Sequence, residues 1–101
     1  AQMAQNIYLQ GLSYIYLAEA YYSIEEIAKT VFYGCLGMYL LHQINSIEWR
    51  KSAGLMTIIK GQKGEAAFSG LLSQYRSEIV SLVGVDGYDY IPQLLEDYKN
   101  N

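Results

Sequence analysis

The stretch YLQGLSYIYLAEAYYSIEEIAKTVFYGCLGMY, residues 8–39, decides how this chain folds and what it must hide from water. It holds seven of the eleven tyrosines, and its only formally charged residues are Glu19, Glu25, Glu26 and Lys29. A proline-free run of this length suits helices rather than strands. Helices apolar on every side have to be covered by protein or lipid, because water around them is unfavourable. Tyrosine suits such a cover, since it buries a large ring and keeps a hydroxyl for water or a partner carbonyl.

Turn signals at Ser23, at Asn45 and Ser46, at 61–64 and at 84–89 divide the chain into helical segments. The first is predicted over 3–22, with a polar stripe of Asn6, Gln10 and Ser13 that Leu17 continues. Ser23 followed by Glu26 fits a capping box that starts a second helix over 24–44, although the short junction also fits one kinked helix. Glu25 and Lys29 are spaced as an i,i+4 ion pair. The small residues Gly34, Cys35 and Gly37 let another backbone approach, and two interior glycines, each costing about 1 kcal/mol relative to alanine, imply tight packing there.

Ser46 is the expected N-cap of a third helix over 47–60, which Gly61 would end. Phe68, Leu71, Leu72, Tyr75, Ile79, Leu82 and Val83 recur at three-and-four spacing and define a fourth, with Gly84 after its last turn. A fifth is predicted over 90–100, with Asp89 as N-cap and Pro92 in the first turn, where a missing amide matters little. The fold class that follows is all-α: a compact bundle of four to five helices in one domain over 1–101. Its two long N-terminal helices form a hairpin or one kinked helix.

Composition narrows the partners. At 101 residues, a single core is the expectation. The chain is 51% hydrophobic and only 17% charged, an apolar excess that association would help to hide. A net charge of -3 argues against a general nucleic-acid binder. The most apolar run, 31–41, is about half the roughly 20 residues a membrane-spanning helix needs, so no membrane partner is expected. The lone Cys35 forms no intrachain disulfide, which favours a reducing compartment and hence the cytoplasm. The chain does not open on methionine, as expected of a processed product, a trimmed form or a domain cut from a longer protein.

Reactive chemistry is sparse. Cys35 and the only histidine, His42, stand seven residues apart, about 10.5 Å along a helix and beyond the reach of a Cys-His dyad. Cys35 reads as a small packing residue, and His42 as a side chain that meets the helix dipole or a terminal carbonyl. One His with one Cys cannot hold a metal, no Glu-x-x-His pair exists, and no cofactor is expected. Glu19 lies among tyrosines, whose hydroxyls are expected to satisfy it. The segment SIEEIAK, 23–29, resembles the first helix of a helix-turn-helix, but no basic recognition helix follows. QYRSEIV, 74–80, is similar to HEPN-type RNase domains, whose Arg-x4-His motif would need histidine where Ser81 stands.

These readings favour a non-enzymatic interaction module, a homodimer or a subunit of a larger assembly. The expected interface comprises Tyr8, Leu12, Tyr14, Tyr16, Tyr33, Leu36, Tyr39 and Leu40. One alternative is a ligand-binding bundle with a Tyr-lined apolar pocket. Another is an accessory subunit that holds phosphate or nucleic acid through Arg50, Lys51, Lys60 and Lys63, four of the seven basic residues. The acidic residues Asp86, Asp89, Glu96 and Asp97 could meet that basic face in a second copy.

Overall fold

The structure, a computed structural model, describes residues 2–100, with side chains from residue 5. Five helices follow in order: α1 Gln2–Ser23, α2 Ile27–Gln43, α3 Trp49–Lys63, α4 Glu65–Gln74 and α5 Arg76–Asn100. The two opening helices form the hairpin rather than one kinked rod, and α1 lies along α2. All five contribute to one core, in which Val31, Cys35, Met38, Leu41, Met56, Ile59, Ile79, Ile91 and Leu94 have no solvent exposure. Burying each large aliphatic contributes roughly 1.5–3 kcal/mol.

The α1/α2 corner differs from the capping box read at Ser23. Ser23 ends α1, its hydroxyl donating to the Ala20 carbonyl at 2.7 Å. Glu25 takes φ 63°, and the amides of Glu26 and Glu25 donate back to the carbonyls of Tyr21 and Tyr22, a Schellman closure that satisfies orphan carbonyls. With Glu25 in the turn, the Glu25–Lys29 helical pair does not form; the Lys29 ammonium sits 5.2 Å from the Tyr21 ring centroid instead. The α2/α3 corner repeats the closure. There Asn45 has φ 59°, the Asn45 amide donates to His42, and the Ser46 amide donates to Leu41.

Ser46 caps a turn rather than α3 itself. Its hydroxyl accepts from the Glu48 amide and its carbonyl from Trp49, so regular helix starts two residues later than expected. Gly61 does not end α3 either. The helix runs on to Lys63, and Gly64, at φ 93°, makes the turn that only glycine adopts at little cost. The predicted fourth helix is broken at Tyr75 (φ -106°, ψ 15°), dividing it between α4 and the start of α5. α5 is itself two halves joined at Gly84, whose φ of 81° interrupts the helix. The second half therefore begins well before Asp89, which is no N-cap, and Pro92 lies inside it, where it withholds the amide that would meet the Tyr88 carbonyl.

α2 occupies the centre, with all four other helices packed on it. Thr30, Val31, Gly34, Cys35, Leu36, Gly37, Met38 and Leu41 are all buried, so the helix that looked apolar all round is covered by its own chain. Two glycines permit this. A Cβ at Gly37 would stand 2.9 Å from the Gly11 carbonyl oxygen, so α1 and α2 cross nearly backbone to backbone. On another face, the Ser52 hydroxyl of α3 donates to the Gly34 carbonyl at 2.6 Å.

Candidate interaction surface

α1 is the exception to this coverage. It meets α2 along its length and α3 only marginally, and it touches neither α4 nor α5. The buried side is a narrow strip of Gly11, Ile15 and Ala18, spaced i, i+4, i+7 so that they share one face. Opposite it, Leu9, Ser13, Tyr16 and Ala20 form an equally regular stripe open to solvent. Leu9 is 54% and Tyr16 59% exposed, and Tyr8 and Leu17 flank them. Glu19 is the only charged side chain on the helix, and neither end carries a charge that compensates the helix dipole. Glu19 stands exposed, and no tyrosine hydroxyl reaches it, contrary to the semi-buried network read from the sequence.

The residues expected at an interface separate into three groups. Tyr8 and Tyr16 are on the open face of α1. Leu36, at 1% exposure, is in the core and cannot reach a partner. Leu12, Tyr14, Tyr33, Tyr39 and Leu40 are half-buried. Of these, Tyr14 and Tyr33 belong to a wall of rings: Tyr33 stacks on Tyr21 at 5.6 Å and on Tyr14 at 5.8 Å, and Phe32 bridges Tyr33 to Tyr75. Such pairs contribute about 0.5–1.5 kcal/mol each beyond burial, so this wall is a structural seam between α1, α2 and the α4/α5 junction. Tyr39 packs toward Gly87 of α5. On α1, Leu9 and Leu17 are the exposed large apolar residues absent from the expected set, and the register that placed Leu17 in line with Asn6, Gln10 and Ser13 already pointed outward.

The four basic residues do not converge. Arg50 and Lys51 open α3 whereas Lys60 and Lys63 close it, about 15 Å away at the helical rise of 1.5 Å. The Arg50 guanidinium lies over the rings of Tyr98, at 4.7 Å, and Trp49, at 5.6 Å. Lys51 pairs with Glu48, and Lys60 with Glu65. On the acidic side, Glu96 faces Lys99 and Asp97 accepts from Gln93, so part of that charge is answered within the chain.

Cys35 and His42 lie on one uninterrupted α2, which keeps them two turns apart. Full burial pushes the Cys35 thiol up from the ordinary 9.0 to about 12, because the apolar core disfavours the thiolate. His42 lies in the last turn of α2 with its ring edge-on to Trp49 at 5.2 Å, and its Nδ1 is buried without a hydrogen-bond partner. Among the described residues no three His, Cys, Asp or Glu side chains gather as metal ligands, and no helix is long and apolar enough to cross a membrane. Of the clefts, one of about 670 Å³ beside the α1/α2 corner carries a single tyrosine, Tyr22, whose hydroxyl meets Gln62 at 3.4 Å. Comparison with protein-family models, curated proteins and solved structures returns no match.

Proposed function

We propose that this chain is a non-enzymatic helical association module that pairs with a second copy through the open face of α1. The observation that carries the reading is a 22-residue helix with one face packed and the other presenting Tyr8, Leu9, Tyr16 and Leu17 around a single formal charge. At 1.5 Å per residue the helix is about 33 Å long, and half the circumference of a side-chain-clad cylinder about 10–12 Å across gives about 520–620 Å². Two such faces bury about 1,100 Å² together, just above the roughly 1,000 Å² that a specific interface needs. The neutral face supports a second copy as the occupant, because like charges do not oppose each other across it apart from Glu19. An antiparallel arrangement moves the two Glu19 side chains apart and sets each positive helix N-terminus beside a negative C-terminus.

The test is the double variant Leu9→Glu, Tyr16→Glu, in which glutamate keeps helix propensity and adds four charges across the paired faces. Light scattering at tens of micromolar should give half the wild-type mass with an unchanged far-UV circular dichroism spectrum. An unchanged mass in the variant removes the α1 face from the association.

A further inference from the structure

The C-terminal ends of α3 and α5 enclose, with the start of α4, a cleft of about 320 Å³, at the small end of the roughly 300–1,000 Å³ typical of ligand sites. We infer that this cleft binds a compact zwitterion, one carboxylate and one ammonium on an aliphatic body, which is the chemistry of a free amino acid. It is separate from the α1 face and stands whether or not the chain pairs.

Charge arrangement carries the inference. Lys60 and Glu65 stand on one side, 3.6 Å apart, and Lys99 and Glu96 on the other, 4.0 Å apart. Both separations exceed a hydrogen bond, and with Glu65, Glu96 and Lys99 exposed and only Lys60 half-buried, both pairs hold weakly and either can part to meet a ligand. A bare anion in the cleft gains two ammonium groups but meets two carboxylates, and a bare cation fares no better. A ligand bearing both signs satisfies all four. Leu95, a core residue 3% exposed, closes the floor of the cleft, so an aliphatic body there meets apolar rather than charged atoms.

Gly61 is the second observation. It lies inside α3, where glycine is disfavoured, yet a Cβ there would meet nothing within 4 Å. No neighbour requires glycine at this position, and because Gly61 lines the cleft, a bulky side chain there would take up space beside it.

The full chain, labelled with nitrogen-15, can be titrated with L-leucine in two-dimensional NMR. Isovalerate, which carries the carboxylate alone, and isoamylamine, which carries the ammonium alone, are the comparison arms. Leucine should give saturable shifts at amides of 57–65 and 95–99, with a Kd of about 1 mM or tighter. Each half-ligand should bind at least about 10-fold more weakly, as should leucine to Lys60→Met and to Glu65→Gln. Gly61→Leu should abolish the shifts while raising the thermal midpoint, so that loss of binding is not loss of fold. The inference is overturned by shifts that fail to saturate below about 10 mM leucine, by equal affinity for isovalerate, or by undiminished binding in Gly61→Leu.

Discussion

Replacing Gly37 with alanine probes the α1/α2 crossing that fixes which face of α1 is left open. The new Cβ would lie 2.9 Å from the Gly11 carbonyl oxygen and from Ile15 Cγ1, and 3.2 Å from the Ile15 amide nitrogen. Ordinary contact begins at 3.4 Å, so the two helices must part by about 0.5 Å along their closest approach. Overpacking of this kind costs about 1–3 kcal/mol, and the upper part of the range applies because two of the three opposing atoms are backbone and cannot rotate away. Alanine recovers about 1 kcal/mol of helix propensity. The net loss is about 1–2 kcal/mol, or roughly 5–15 °C in thermal midpoint for a domain of this size. Gly61→Ala is the control, since its Cβ meets nothing within 4 Å and should gain about 1 kcal/mol. Urea unfolding followed by Trp49 fluorescence, at one fixed protein concentration, separates the two. A Gly37→Ala protein as stable as the wild type would refute the backbone-to-backbone crossing.

Two further predictions concern single sites. Glu25→Gly relieves a left-handed φ that costs a non-glycine residue about 1–2 kcal/mol, less the added freedom of the unfolded chain, and should stabilise by about 0.5–1 kcal/mol. Asn45→Gly should gain less, because asparagine tolerates that conformation; a lower urea midpoint for Glu25→Gly would count against the corner as described. Burial raises the Cys35 thiol on folding, so its contribution is fully present below the unfolded value of 9.0 and is lost as pH rises toward about 12. The difference in urea midpoint between wild type and Cys35→Ala should therefore hold steady below pH 9 and narrow above it. A thiol reagent at pH 8 should label Cys35 only in the unfolded protein, and rapid labelling of the native chain would contradict its burial.

The helical class was legible because the apolar spacing and the turn residues agree over most of the chain. Helix ends were less so. Ser23 with Glu26 satisfies a capping box by residue type, but the same serine can back-bond to Ala20 and end a helix, and only the left-handed Glu25 decides between them. Glutamate gives no signal for that conformation, whereas Asn45 does. Of the glycines in KGQKG, sequence favours the first as the stop, yet α3 runs past Gly61 because Gly64 completes a full turn beyond Lys60. The break at Tyr75 has no local marker; there the backbone turns as the ring packs on Phe32, a contact between residues far apart in the chain. At the surface, the apolar excess of 8–39 was evident, but its division was not. α2 spends its apolar sides on its own bundle, and α1, as the outermost helix, keeps one uncovered. Leu36 and Tyr33 were indistinguishable from Tyr16 until the crossing at Gly11 and Gly37 set the rotation of each helix.

Sedimentation equilibrium of the wild-type chain over a concentration series reaching tens of micromolar tests most directly whether the open face of α1 is a pairing surface. The mass should rise toward twice 11.4 kDa and fall back to a single chain with Leu9→Glu, Tyr16→Glu. A mass of 11.4 kDa throughout the series would contradict it.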